Sequence, residues 1–236
     1  MYNFIGIDIS LNSTAVYIET SDKKIVLSFT SKKDNNIWIN ELKSSGVIFT
    51  HLYRKSSSDY SSNEILKLLD FSELSHNIVD TVTRYLDPTM KTFCSIEGYS
   101  FSRNTSSILD IVSLSTLVKT ELLTRIPDIE MSIISPLSLK LESCKLVYPP
   151  IELGVKKKKL KWVNDQGIAG GSFKKQQMFK AFIDGKIDAP IYNILFHHKD
   201  LMDREKIPNP IEDIVDSIFC LKVLRRKIVT NESLAQ

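Results

Sequence analysis

The chain has 236 residues, 42% of them hydrophobic and 25% charged, with eight Gly and eight Pro. That is globular composition, which excludes a disordered tail, a collagen-like repeat and a linker-dominated chain, and the length suits one domain that carries an insertion. Lys and Arg total 31 against 28 Asp and Glu, a net charge of +3, so any surface for a polyanion must come from local clustering.

Residues 3 to 9, Asn-Phe-Ile-Gly-Ile-Asp-Ile, read as a short strand ending at an acid, with Ser10 and Asn12 opening a turn. Thr14 to Thr20 and Lys24 to Thr30, separated by Ser21-Asp22, continue as two strands of an antiparallel meander. Residues 31 to 61 are polar and Ser-rich around Ile37-Trp38-Ile39 and Val47-Ile48-Phe49, which read as loop plus an edge strand. From Asn63 the period changes: Ile65, Leu68, Phe71, Leu74, Ile78, Val82 and Tyr85 mark a long amphipathic helix that Asp87-Pro88 stops.

Thr92 to Ile96 then reads as a strand ending at Glu97-Gly98. Ile108, Ile111, Val112, Ser115, Val118 and Leu122 mark a second helix, and Ile129 to Ile134 a further strand. A last helix runs from about Pro210 to Lys227, with more helix expected between it and the last strand. The stretch 141–172, containing Tyr148-Pro149-Pro150, four consecutive lysines and Gly170-Gly171, reads as an irregular, Lys-rich insertion in a single mixed α/β domain over 1–236. Cys94, Cys144 and Cys220 are widely spaced and form no CxxC pattern, so neither a disulfide framework nor a zinc site is written here. There is no secretory signature and no apolar run of the roughly 18 residues a bilayer needs; the expectation is a cytoplasmic protein, not secreted and without a membrane partner.

Four acids stand where structure alone would not choose them: Asp8 and Glu97 at strand ends, and Asp213 with Asp216 on the final helix. Residues three apart on a helix share a face, and strand-end carboxylates project into a common cleft. Converging carboxylates are tolerated when a divalent cation neutralises them, and hard oxygen ligands suit Mg²⁺ or Mn²⁺. Two such ions about 3.5 to 4 Å apart are suited to phosphodiester hydrolysis. Asp213 and Asp8 also have a plain structural reading, and Glu97 before Gly98 has less of one. Glu212 and Asp213 follow Asn209-Pro210 and suit a first helical turn, and Asp8 can open a turn through its side chain.

Taken in order, Phe4-Ile5-Gly6-Ile7-Asp8-Ile9-Ser10, Ser95-Ile96-Glu97-Gly98 and Ile211-Glu212-Asp213-Ile214-Val215-Asp216-Ser217 resemble three motifs of one family. These are the first strand, the strand with the catalytic Glu and the terminal acidic helix of the RuvC-like Holliday junction resolvases, particularly the phage and poxvirus kinds, in the RNase H-like (retroviral integrase) superfamily. The resemblance covers residues 3 to 227. It implies an RNase H-like fold whose mixed central sheet has three antiparallel strands, then parallel strands, between helices. It implies Asp8, Glu97, Asp213 and Asp216 as ligands of two Mg²⁺ ions, which Mn²⁺ can replace.

Pro136-Leu137-Ser138-Leu139-Lys140 and Lys175-Gln176-Gln177-Met178 resemble the family's two lysine segments, so Lys140 and Lys175 would hold the scissile phosphate or its neighbours as point charges. In the family these segments sit close together; here 141–172 separates them, which leaves Lys174 as an alternative register to Lys175. The implied activity is metal-dependent hydrolysis of branched DNA, a four-way junction above all, leaving 5′-phosphate and 3′-hydroxyl ends without a covalent enzyme intermediate. Two matched incisions in a two-fold symmetric junction call for a homodimer.

From Lys140 to Lys175 there are nine lysines against three acids. Lys156, Lys157, Lys158, Lys159, Lys161 and Lys174, with Arg103 after the Glu97 strand, are therefore candidate DNA-backbone contacts, with a solvated loop as the plain alternative. Trp162 and Phe173 are candidates to stack on an unpaired base, and His197-His198 reads as a surface pair. Three other readings compete: a ribonuclease H or flap-cleaving nuclease of the same fold, an ATPase domain of the sugar-kinase and actin type, whose first strand also carries Gly-x-Asp, and a catalytically inactive DNA-binding module.

Overall fold

Alternation along the first strand sorts the molecule into two layers. β1 (Tyr2–Asp8) sends Ile5 and Ile7 to one face of the sheet and Phe4, Gly6 and Asp8 to the other. The computed structural model describes residues 1–33, 36–53, 55–99, 105–153 and 159–234. β1 pairs antiparallel with β2 (Ser13–Glu19), which pairs antiparallel with β3 (Lys24–Thr30). On the other side β5 (Lys91–Glu97) lies parallel to β1, and β6 (Glu130–Ile134) parallel to β5. With β4 (Ile48–His51) parallel to β3 at the edge, the order is β4-β3-β2-β1-β5-β6. The sheet is mixed, with β1, β2 and β3 antiparallel and β4, β5 and β6 added in parallel at the two sides.

On the Ile5/Ile7 face, α2 (Tyr60–Thr83) packs Phe71, Leu74, Ile78 and Val82, and α3 (Thr105–Arg125) packs Leu114, Val118 and Leu122. The opposite face carries α7 (Ile211–Leu234), surrounded by α1 (Ile37–Ser44), α4 (Pro136–Val147), α5 (Lys175–Asp184) and α6 (Tyr192–His197). Among the described residues no helix is long and apolar enough to cross a membrane. Cys94, Cys144 and Cys220 are free and buried.

Two stretches differ from the sequence expectation. Residues 37–44, expected as loop, form α1: the Asn36 side chain caps it by accepting from the Trp38 N–H at 3.0 Å, and Trp38, Ile39 and Leu42 turn inward. Residues 141–172 are more regular than expected. They hold the end of α4, an antiparallel hairpin of β7 (Pro150–Leu153) and β8 (Lys159–Trp162), and a single 3₁₀ turn at Gly170–Ser172.

Gly6 is where α7 crosses the sheet. A Cβ built there would lie 2.1 Å from the Ser217 carbonyl oxygen and 2.6 Å from the Leu221 nitrogen, so only glycine lets this helix lie so close to the strand. Farther along, Glu19 clamps α7 to β2. Its buried carboxylate accepts from Lys222, from Arg225 Nη1 at 2.8 Å and from the Tyr17 hydroxyl at 2.8 Å. Gly6→Ala must displace backbone rather than a flexible side chain, and is expected to cost about 3 kcal/mol or more by guanidinium denaturation. An unchanged unfolding midpoint would refute the close crossing.

Candidate active site

The parallel register of β1 and β5 aligns Ile7 with Ile96, so Asp8 and Glu97 emerge side by side at the carboxyl ends of adjacent strands. In open α/β sheets this is where ligands are bound. Both point to the α7 face, and α7 supplies Asp216 from above. Oxygens of Asp8, Glu97 and Asp216 all lie within 4.8 Å of one another. Asp213 is one turn nearer the helix start. It is 5% exposed, and its Oδ2 has no hydrogen-bond partner. It lines the same cleft of about 200 Å³ as Asp8 and Glu97 but stands outside their three-carboxylate cluster.

Lys175, the first residue of α5, reaches into the acids. Its ammonium pairs with Asp216 and lies 3.0 Å from Glu212 Oε1. Lys140, on α4, comes close enough to Asp216 to favour the latter's charged form. Lys174 is exposed and lines an adjoining hollow, not the cleft of Asp8 and Glu97. Of the two alternative lysines, Lys175 is the one the fold places among the carboxylates. Glu212, read from sequence as a first-turn acid, is the added member of the site, and its position one residue before Asp213 was the available signal.

Crowding governs the electrostatics. Asp8 and Asp216 are 8% and 2% exposed. Burial, then the Asp216 charge, pushes Asp8 up to about 7. Burial, then Asp8 and Asp216, pushes Glu97 up to about 10, and its carboxyl donates a hydrogen bond to Asp8. Asp213 is raised well above the usual carboxylate range by burial and then by Asp8. The Ser13 hydroxyl lies near enough to oppose that rise, yet neither Ser13 Oγ nor Asp213 Oδ2 completes a hydrogen bond of normal geometry. Asp216 is raised by burial, against which Lys175 acts. Burial works to lower Lys175, but Asp216, Asp8, Glu212 and Glu97 together hold its pKa above the ordinary lysine value.

An all-oxygen donor set of closely spaced, mutually repelling carboxylates, with an orphaned carboxylate oxygen beside it, fits a hard divalent cation such as Mg²⁺ or Mn²⁺. Asp8, Glu97 and Asp216 are the residues that would hold it, with Asp213 within reach of the same cleft.

The other expected contacts are dispersed. Lys161 is exposed on β8, opposite Ile151. Lys156, Lys157, Lys158 and Arg103 lie outside the described residues, as does the side chain of Lys159. Phe173 is not available to stack on a base: it is 1% exposed and packs edge-on against Tyr148. Trp162 is half-buried under the Lys145 ammonium, 4.8 Å from the ring centre. His198 pairs with Glu41 at 2.5 Å, and His197 Nδ1 lies 2.6 Å from the Asn193 carbonyl.

No family model matches the chain, and no curated protein matches it significantly. Among solved structures, T. thermophilus RuvC in complex with a Holliday junction substrate aligns with TM-score 0.45 and 6% identity, covering 97% of this chain and 96% of that one. A second Thermus thermophilus RuvC structure aligns with TM-score 0.47 and 7% identity over the same shares. Both are remote in sequence and loose in superposition, and neither assigns a role to a residue of this site.

The raised carboxyls set the pH dependence of the metal-free protein. A folded carboxyl pushed up still binds a proton that the unfolded chain has released, so stability falls as pH rises from about 4 towards 7 for Asp8, and still higher for Glu97. At about 1.4 kcal/mol per pH unit of difference, Asp8→Asn in chelator is expected to be more stable than the native chain by about 1–3 kcal/mol near neutral pH. Mg²⁺ or Mn²⁺ should raise the melting temperature of the native chain and leave that of the variant nearly unmoved. Equal stability of the two chains in chelator at every pH would show that the carboxylates are not crowded.

Proposed function

We propose that the chain is a metal-dependent endonuclease that hydrolyses a phosphodiester of branched DNA, a four-way junction above all, as a homodimer. The observation that carries the reading is the buried cluster of Asp8, Glu97 and Asp216 at adjacent strand ends, with Lys175 reaching into it. A cluster of like charges at that depth costs stability in the absence of a cation, and a purely structural role gives no reason to keep it. The choice of branched DNA rests on the ordered likeness of the first strand, the Glu97 strand and the acidic helix to the RuvC-like resolvases. The homodimer follows from the need for two matched incisions.

When bound, divalent cations supply the activation of a water nucleophile and the neutralisation of charge at the phosphate. The chain's own residues do the rest. Asp8, Glu97 and Asp216 hold the cations, and Asp213 adds a carboxylate at the cleft wall. Lys175 and Lys140 place positive charge beside the carboxylates, where they fix the phosphate of the bound strand. Lys175 is engaged by Asp216 and Glu212 before substrate arrives, so it is held in the orientation that a phosphate or cation would then exploit.

Cleavage of an immobile four-way junction, compared with linear duplex, flap and RNA–DNA hybrid, tests the reading directly. Paired nicks in the junction are expected with Mg²⁺ or Mn²⁺ and none with chelator. Asp8→Asn and Glu97→Gln are each expected to lower the rate by at least about 100-fold, since even the partners of metal ligands are worth about 10- to 100-fold, while DNA binding survives. Metal-dependent cutting of flaps or hybrids in preference to junctions would change the substrate and keep the site. Unchanged cleavage in both variants would remove the assignment.

A further inference from the structure

Beside the acidic cleft, and sharing Lys175 and Glu212 with it, lies a second hollow of about 340 Å³. Its wall gathers lysines from three separate segments: Lys140 of α4, Lys174 and Lys175 at the start of α5, and Lys206 on the loop that leads to α7. Lys175 is engaged by Asp216 and Glu212. Lys140, Lys174 and Lys206 form no ion pair with any described residue. Glu212 is engaged by Lys175, which leaves Glu205 as the other acid of this wall.

Lys206 is not on a loose loop. The Gln176 side chain donates to the carbonyl oxygens of Arg204 at 3.0 Å and Glu205 at 2.5 Å, tying the chain just before Lys206 to α5. Just after it, Ile207 is 1% exposed and anchored in the core. The ammonium is therefore presented from a segment fixed on both sides. Three unpaired cations around one concavity repel each other, an arrangement suited to a polyanion whose charges recur at regular spacing. A nucleic-acid strand has one phosphate per 3.4 Å or so of axis on each strand, so a strand with one phosphate at the carboxylates carries its next phosphate into the adjoining hollow.

We infer that this hollow seats the phosphate flanking the scissile one, that Lys206 is one of its contacts, and that Gln176 is the positioning residue that holds Lys206 there. The inference rests on the nuclease reading above and adds Lys206 and Gln176 to it. Sequence reasoning had no means of finding Lys206, because its loop joins the site only through the fold, nor of seeing that Gln176 of α5 holds it.

The test is the salt dependence of binding of a fluorescein-labelled four-way junction in chelator, by anisotropy, for the native chain, Lys206→Ala, Lys206→Arg, Gln176→Ala and Lys23→Ala. Each lost phosphate contact reduces the slope of log affinity against log salt by about 0.9 on duplex and about 0.7 on single strand. Lys206→Ala is expected to lose about one such contact and Lys206→Arg to retain it. Gln176→Ala, which changes no charge, is expected to lose part of it. Lys23→Ala, on the β2–β3 turn at the far end of the sheet from Asp8, should match the native slope. An unchanged slope in Lys206→Ala, with native binding intact, overturns the seat and leaves the nuclease reading standing. An unchanged slope in Gln176→Ala alone overturns its positioning role. Absence of salt-dependent DNA binding by the native chain overturns both readings. An unaltered Mn²⁺-induced melting shift in each variant confirms that the fold and the carboxylates are untouched.

Discussion

The absence of a side chain at Gly6 decides where the last helix lies, and through it where the acids meet. With Ser217 and Leu221 backbone atoms at the position a Cβ would take, α7 is pressed onto β1 near its carboxyl end. Towards the helix start from that crossing are Asp216, immediately before Ser217, and Asp213, about one turn earlier; two residues along the strand from Gly6 is Asp8. Any side chain at Gly6 would lift the helix and pull Asp216 out of reach of Asp8 and Glu97. The Glu19 clamp to Lys222 and Arg225 works in the same direction from the other end of β2. Buried pairs of this kind contribute less to net stability than to fixing one arrangement among several. The fold thus sets the site by pinning one helix at two points, with the acids on the turn that precedes the first of them.

Pinning alone would produce an unfavourable result, because it crowds carboxylates into a buried space. Protonation relieves part of the repulsion, as the upward displacement of Asp8, Glu97 and Asp213 shows. Lys175 relieves another part by inserting an ammonium between Asp216 and Glu212. Both devices are exchangeable. On the proposed reading a divalent cation would take the place of the protons, and Lys175 would turn its charge to a phosphate without leaving the cleft. The crowding costs stability at this point in the fold, and a ligand that binds only the folded site would restore it.

Much of this was legible in the sequence, for reasons tied to periodicity. β1, β2, β3, β5 and β6 are short apolar runs bounded by turn residues, and α2, α3 and α7 are long enough for a 3.6-residue period to stand out. Asp8 and Glu97 were visible because a buried-type strand has no structural use for an acid at its end. The misses have equally physical causes. Ile37-Trp38-Ile39 has the β-branched and aromatic content of a strand, and an eight-residue helix with one asparagine cap is too short to assert its period against that. Phe173 beside Lys174 and Lys175 looks like an exposed aromatic, but Tyr148, 25 residues back in the chain, covers it. Lys206 carries no local signal, because its place depends on two hydrogen bonds from Gln176.

The separation of the two lysine segments by 141–172 is the feature that sequence alone handles worst, and the topology resolves it. α4 enters this stretch with Lys140 already placed near Asp216, β7 and β8 leave and return as an antiparallel pair, and the 3₁₀ turn at Gly170 packs back on α4. A Cβ at Gly170 would fall 2.6 Å from the Cys144 Cβ, so the returning chain touches the helix it left. The excursion therefore closes on itself, and Lys175 starts α5 within the same wall as Lys140. Length inserted between two residues separates them in space only when its ends are apart; closing a longer loop costs little more than closing a short one. The hairpin can lengthen without disturbing the site.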